Sequence, residues 1–352
     1  MQVTVTPFTV HKRVPLTISR GTTAHSTNLW VRVHHDDHEG WGEATPFSIG
    51  TQTQTTGQLQ AALTAIAPKL SPYHPLDRQA LEPHLNTLPS AARAAIDIAL
   101  HDWLGKQSGL PLWQIWGLNR HAIGPTAVTI GINTPERACQ RLQDWQAQIP
   151  DLKSVKVKLG NPAGMEADRA MMSALLAHIP LGAKVSVDAN GGWDLESAIA
   201  MAQWLSDRGI AYIEQPLSPQ QDGSLQQLSA TSPLPIFVDE SCFTSHDIPR
   251  LAGSVHGINI KLMKAGGLTE ALRMIHTAHA HELTVMFGCY SDSSLANTAL
   301  AQLAPLATHL DLDSHLNLRD DPFNGATLTQ GCLLPNDLPG LGLTHHDVPA
   351  TH

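Results

Sequence analysis

From residue 127 onward the chain repeats one unit, a short β-branched strand followed by an amphipathic helical stretch. Eight strands are readable: AVTIG (127–131), SVKVKL (154–159), KVSVD (184–188), AYIE (211–214), IFVD (236–239), GINIK (257–261), TVMFG (284–288) and THLDLD (308–313). Strands that alternate with helices lie parallel, because each helix carries the chain back across the sheet. Eight such units predict a closed barrel rather than an open doubly wound sheet. No GxGxxG and no P-loop follows any strand, which argues against dinucleotide and nucleotide binding. After residue 313 there is no ordinary eighth helix, only segments rich in Asp, Pro and Gly (RDDPFNG, PNDLPGLG). The expected class is α/β, a (β/α)7β TIM-type barrel.

The preceding residues have a different texture. Segments 2–10 and 27–34 are β-rich, and DDHEG (36–40) predicts a turn into WGEATP (41–46). Between the first two strands, PLTISRGTTAHST (15–27) is polar and lacks helical periodicity, so a loop is expected there. From 58 to 117 the period is helical. In SAARAAIDIALHDWLGKQSGLPLWQIWG (90–117), Ala91, Ala95, Ile98 and Asp102 mark helix steps, and Gly109 with Pro111 marks the end. The expected organisation is an α+β capping domain over 1–122 (a three-stranded sheet plus helices), the barrel over 123–315, and a segment over 316–352 that returns to the capping domain.

Composition narrows the function. The 352 residues carry 22 Lys plus Arg against 31 Asp plus Glu, a net charge of −9. An acidic chain has no cationic surplus with which to displace counterions from phosphate, so no nucleic-acid partner is expected. No run approaches eighteen apolar residues, so no membrane span is expected. The MQVTVTPFTV start lacks the basic region and apolar block of a secretory signal, and it alternates like a strand. Cys139, Cys242, Cys289 and Cys332 form no CxxC, so no disulfide framework is expected. The expected location is the cytoplasm.

Only 15% of the residues are charged, against the usual quarter or so, yet six of the eight strands end in a charge. Active sites of such barrels lie at the carboxyl ends of the strands. There the chain places Thr129, Lys156 with Lys158, Asp188, Glu214, Asp239, Lys261, Cys289 with Ser291, and Asp311 with Asp313. Asp188, Glu214 and Asp239 end three consecutive strands, where unshielded carboxylates repel. An all-oxygen set suits Mg²⁺ and disfavours zinc; the plain alternative is that each acid caps the next helix. Lys156 and Lys158 are two apart and so share the interior face, where each is expected to depress the other's pKa. Lys261 closes strand six, across the ring. The alternative for these lysines is a structural ion network with the three acids.

Together, KVK (156–158), VDAN (187–190), IEQP (213–216), VDES (238–241) and INIKLMKAGG (258–267) resemble the enolase superfamily, muconate-lactonizing subgroup, and GWGEA (40–44) resembles its capping domain. GCYSDSS (288–294) and LDLD (310–313) resemble the dipeptide epimerases of that subgroup. The resemblance spans nearly the whole chain. It implies one Mg²⁺ per subunit on Asp188, Glu214 and Asp239, with Lys158 and Lys261 as the acid/base pair. It also implies that Lys156 tunes Lys158 and contacts the substrate carboxylate. Asp311 and Asp313 would hold a substrate ammonium, and Thr129, Cys289 and Ser291 would line the pocket. The implied reaction inverts the α-carbon of the carboxyl-terminal residue of an L,L-dipeptide by 1,1-proton transfer through a metal-stabilised enediolate. An o-succinylbenzoate synthase or muconate-type cycloisomerase uses the same scaffold, and a non-catalytic ligand-binding barrel is the remaining alternative. The Asp pair favours a cationic substrate end over an anionic dicarboxylate. Dimers and larger rings are common in the superfamily, which makes a homo-oligomer compatible with the resemblance.

In this family the region of 15–27 closes over the site, where Arg20 either reads an acidic side chain or is an ordinary surface residue. Cys289 has no base partner by sequence and reads as an inert pocket residue. His34, His35 and His38 flank the expected turn and read as exposed, as do His276 and His279 on the helix after strand six.

Overall fold

A computed structural model describes residues 1–50 and 52–346. Its first three strands, β1 (Gln2–Ile18), β2 (Gly21–His35) and β3 (His38–Ala44), form an antiparallel sheet in the order β1-β2-β3. The loop expected over 15–27 is instead mostly ladder. The register shifts between His11 and Leu16, and pairing resumes at Leu16↔Thr23 and runs to Ile18↔Gly21. Threonines carry this extension: they favour extended backbone without being apolar, and the Thr17 and Thr22 hydroxyls meet at 2.8 Å. Only Ser19 and Arg20 turn the chain, with Gly21 supplying the positive φ of 138°. The long hairpin leaves its sheet and leans on the barrel, where the Ile132 N–H donates to the Thr17 carbonyl at 2.9 Å.

Three helices follow, α1 (Thr56–Leu70), α2 (Arg78–Leu85) and α3 (Ser90–Ser108). The alanine-rich α3 packs directly against β3, because GWGEA puts glycine at alternate positions. A Cβ on Gly42 would lie 1.8 Å from the Ala95 carbonyl oxygen, and one on Gly40 would lie 2.0 Å from that of Ala99. The last residues of the same motif dock the sheet on the barrel. Buried Glu43 accepts from Asn28 Nδ2 (2.6 Å), the Ser293 N–H (3.0 Å), the Ser293 hydroxyl (2.5 Å) and the Ala296 N–H (3.1 Å). It thereby sits on the N-terminus of a barrel helix, where a carboxylate is favoured.

The eight expected strands are all present: β4 (Val128–Ile130), β5 (Ser154–Lys158), β6 (Lys184–Asp188), β7 (Ile213–Glu214), β8 (Ile236–Val238), β9 (Gly257–Ile260), β10 (Thr284–Gly288) and β11 (His309–Asp311). They pair in sequence order, each parallel to the next. The ring closes where Thr126 bridges Leu310 in parallel and the Ala127 N–H donates to the Leu310 carbonyl at 2.7 Å. Each connection carries a helix, α4 (Pro135–Gln148), α5 (Met165–Leu176), α6 (Leu195–Ser206), α7 (Leu225–Thr231), α8 (Ile248–Leu251), α9 (Leu268–Ala280) and α10 (Ser294–Ala301), with a further single turn, Leu262–Ala265, ahead of α9. After β11 the only helical segment among the described residues is a short 3-10 turn, Ser314–Asn317, as the sequence implied.

Strand alternation sorts side chains between two environments. Val155, Val157, Val185, Val187 and Ile213 join the helix-packed core, whereas Tyr212, Phe237 and Met286 form a separate cluster inside the ring. Their alternate neighbours further along the strands are Glu214, Asp239 and Gly288, so the charged layer rests on an apolar floor.

The chain after 316 packs on the capping sheet. Leu318 bridges Lys12, the Arg319 N–H donates to the His11 carbonyl at 3.0 Å, and Phe323 meets Phe8 and Trp30 edge-on. All four cysteines are free thiols. Among the described residues no helix is long and apolar enough to cross a membrane.

Candidate active site

At the carboxyl end of the ring, acids and lysines alternate. Lys158 Nζ lies 2.6 Å from Asp188 Oδ2. Lys261 Nζ lies 2.7 Å from Asp239 Oδ2. Lys156 Nζ lies 2.6 Å from Glu214 Oε2, 2.7 Å from Asp311 Oδ2 and 3.4 Å from Asp188 Oδ2. Gly288 makes room for the opposing lysine, since a Cβ there would lie 3.0 Å from Lys261 Cε.

The lysines stand at different depths. Lys158 and Lys261 reach the cavities above the barrel, but Lys156 is wholly buried and lines neither. Two residues along a strand preserve the face but change the height by roughly 7 Å. Lys156 is therefore placed beneath the cavity floor, where it ties Glu214, Asp188 and Asp311 together.

Lysine proximity leads one to expect depressed pKa values, but the carboxylates dominate. Burial lowers Lys156 and Lys261, yet Asp311 and Glu214 around Lys156, and Asp239 beside Lys261, raise both well above the ordinary value. Burial raises the acids in turn. Lys158 and Lys156 outweigh it at Asp188 and hold that carboxyl at about 2, while Lys261 and Lys264 hold Asp239 far below its usual range. Glu214 is pushed up to about 7 by burial and by Asp188 and Asp239.

Several residues beside these were not singled out from sequence. Lys264, at the end of INIKLMK, donates to both Asp239 Oδ1 (2.7 Å) and the Asn259 carbonyl (3.0 Å). Asn259 Nδ2 donates to Glu214 Oε1 at 2.8 Å. Asn190, with φ at 46°, turns its N–H onto Asp188 Oδ1 at 2.8 Å. Glu240, also not singled out, pairs through Oε1 with Nη1 of Arg20 at the hairpin tip at 2.8 Å, and the same Nη1 donates to the Asn190 carbonyl at 2.9 Å. Gln215, whose Oε1 accepts from the Asp239 N–H at 2.8 Å, and Glu240 directly follow strand-end acids, and Asn190 lies two residues after one. That adjacency was the available signal.

The acids suit a hard divalent cation by their chemistry. All donors are oxygens from three neighbouring strands, and their mutual repulsion is what a cation relieves. Glu214 Oε2, Glu240 Oε2 and Asn190 Oδ1 are buried without accepting a hydrogen bond; the Lys156–Glu214 contact is close but poorly directed. Each of the three acids is paired with a lysine. Among the described residues, the group that brings three candidate ligand atoms within 4.8 Å of one another is His35, Asp36 and His74, at the far edge of the capping sheet.

Across the ring, β4, β11 and the segment after β10 supply the remaining residues. The Thr129 N–H donates to Asp313 Oδ2 at 2.6 Å, and Thr129 Oγ1 donates to Asp311 Oδ1 at 3.2 Å. Burial and Asp311 raise Asp313 to about 6. Cys289 donates to the Asp311 carbonyl at 3.2 Å, and burial pushes its thiol up to about 12, which makes it a poor nucleophile. Ser291 lines the cavity under the hairpin and accepts from Asn28 Nδ2 through its carbonyl at 2.9 Å. Tyr290 stacks on Phe47 at 4.9 Å and presents its ring 4.7 Å from Lys261 Nζ.

Residues 1–117 match the mandelate racemase / muconate lactonizing enzyme N-terminal domain, and residues 136–347 match the enolase C-terminal domain-like family. The chain belongs to the enolase superfamily. Within that superfamily it is 43% identical over 345 residues to a hydrophobic dipeptide epimerase of Flavobacteria bacterium (strain MS024-2A), covering 97% of each chain. It is 42% identical over 333 residues to a hydrophobic dipeptide epimerase of Roseobacter litoralis, covering 94% of this chain and 95% of that one. Among solved structures, the dipeptide epimerase from Enterococcus faecalis V583, complexed with Mg and L-Leu-L-Tyr, aligns with a TM-score of 0.88 at 29% identity. That alignment covers 98% of this chain and 99% of the other.

Proposed function

We propose that this protein is a Mg²⁺-dependent dipeptide epimerase that inverts the α-carbon of the carboxyl-terminal residue. The observation that carries the reading is the pair Lys158 and Lys261, each on a barrel strand end, each reaching the cavity, and each beside a different carboxylate. Asp188, Glu214 and Asp239 would hold the cation, which supplies positive charge beside a bound carboxylate and so acidifies its α-proton. Lys158 takes or returns that proton on one face of the α-carbon, and Lys261 does so on the other. Lys156 and Lys264 keep the acids oriented from below and from the side. Asp311 and Asp313, braced by Thr129, receive the substrate ammonium, whose charge an anionic dicarboxylate lacks.

The cavity under the hairpin points to a neutral or apolar carboxyl-terminal residue. Its wall includes Leu16, Ile18, Pro46, Phe47 and Tyr290. Arg20, the cation that would read an acidic side chain there, is already committed to Glu240. This agrees with the hydrophobic substrates named for the two relatives. The free thiols support a cytoplasmic location.

The test is incubation with a dipeptide panel and Mg²⁺ in D₂O. Deuterium is expected at the carboxyl-terminal α-carbon, with hydrophobic residues exchanged fastest. Turnover of succinyl- or muconate-type acids without exchange in any dipeptide contradicts the reading.

A further inference from the structure

Lys12 has no part in the chemistry above, yet its side chain enters the cavity. It lies on β1 where the ladder shifts register, and its backbone bridges Leu318 of the returning segment. The residue is 8% exposed and lines both cavities at the barrel mouth. Burial lowers its pKa, and Cys289, Asp313 and Asp292 act against that lowering. Among the described residues neither acid comes within 4.0 Å of its ammonium, and that ammonium makes no side-chain hydrogen bond. Asp313 already accepts from Thr129 and Asp292 from the Tyr290 N–H at 3.1 Å. A nearly buried cation with no direct partner is costly unless a ligand supplies one.

The ring geometry says which part of a ligand comes near it. A dipeptide with its carboxylate at β6–β8 and its ammonium at Asp311 and Asp313 spans the barrel mouth. The side chain of its first residue then projects past the β11–β4 seam. There lies a cavity of about 480 Å³ whose wall includes Lys12, Asn133, Arg141, Trp145 and Asn317. Arg141 is half-buried, lies over the Trp145 ring at 4.0 Å and donates to Asn317 Oδ1 at 2.9 Å, so it is held in place. With Asp311 and Asp313 occupied by the substrate ammonium, Lys12, Arg137 and Arg141 face only Asp144 among the acids of that wall.

We infer that Lys12 is a specificity-determining residue that makes the amino-terminal side-chain subsite cationic, so that the enzyme favours dipeptides beginning with an acidic residue and rejects those beginning with lysine or arginine. This rests on the dipeptide reading and goes beyond it, since it concerns the first residue rather than the inverted one. Lys12 acts on binding of the substrate; it has no role in moving the proton.

The test compares kcat/KM for L-Glu-L-Leu, L-Ala-L-Leu and L-Lys-L-Leu by α-deuterium exchange in the Mg²⁺-loaded enzyme. The Glu-to-Lys ratio is expected to exceed about 10 in the natural protein, to fall about tenfold or more in Lys12→Met, and to survive in Lys12→Arg. Lys12→Glu is expected to invert the preference. A natural protein that prefers L-Lys-L-Leu overturns the inference whatever the variants do. So does a ratio unchanged in folded Lys12→Met while L-Ala-L-Leu is still epimerised, an outcome that leaves the dipeptide reading standing. No exchange in any dipeptide removes that reading and this inference with it.

Discussion

Lys158 and Asp188 are register partners on neighbouring parallel strands, and their side chains meet at 2.6 Å. The ladder itself therefore sets a base against an acid. Lys261 meets Asp239 across the ring at 2.7 Å, reaching back from just past the strand end rather than as a register partner. The two lysines approach one cavity from opposite sides of the mouth.

Asp239 carries more than its share of this network. Lys261 and Lys264 both bind it, at 2.7 Å each, in a region with almost no solvent. In Asp239→Asn, two buried ammonium groups lose their carboxylate, which is expected to cost about 3–5 kcal/mol of stability. Denaturant unfolding checks this. Calorimetry should show loss of Mg²⁺ binding, and epimerisation should cease.

Arg20 closes the hairpin over the barrel through Glu240 and the Asn190 carbonyl. Arg20→Met is expected to raise KM about tenfold while changing kcat less, because the residue positions the cover and does not touch the reacting carbon. Selective loss of activity on dipeptides ending in glutamate would assign Arg20 to substrate recognition instead.

Gly42→Ala tests the docking of β3 on α3. The new methyl would meet the Ala95 carbonyl at 1.8 Å, a backbone atom that no rotamer change can move. Overpacking of this kind is expected to cost about 3 kcal/mol or more, read as a lowered thermal midpoint.

Much of the barrel was legible because each strand is a short β-branched or apolar run, with a charge at the end of six of the eight. The hairpin over 15–27 was not, since a strand carried by Thr and Ser and exposed on one side lacks apolar alternation. The site divides in the same way. Asp188, Glu214, Asp239, Lys158 and Lys261 stand out as scarce charges recurring at strand ends. The burial of Lys156 was hidden, because spacing fixes the face of a side chain and not its depth. Lys264 and Asn190 depend on a helical turn and a left-handed residue that bring them back onto the acids. Lys12 reaches the site only because the first hairpin crosses the barrel mouth, a relation between residues some 300 positions apart.

Asp97 links α3 to α9 and predicts an acid sensitivity. Its carboxylate accepts from the Thr269 N–H at 2.9 Å and lies near Arg78 and His101. Burial raises its pKa, but His101, Arg78 and Thr269 outweigh burial and lower it from 3.8 to about 2. A depressed acid stabilises the fold above its unfolded pKa, and that contribution is lost as pH falls from 3.8 towards 2. Asp97→Asn should therefore show a flatter fall of unfolding free energy as pH drops from about 5 through 2, the full difference amounting to about 2 kcal/mol.

The most direct test of the two-base account is α-proton exchange in Lys158→Ala and Lys261→Ala, each assayed separately with the L,L and L,D forms of one dipeptide in D₂O with Mg²⁺. Each variant is expected to exchange one epimer only, the two variants choosing opposite epimers, and neither to interconvert them. Exchange of both epimers by either variant, or continued epimerisation, would contradict the assignment of one lysine to each face.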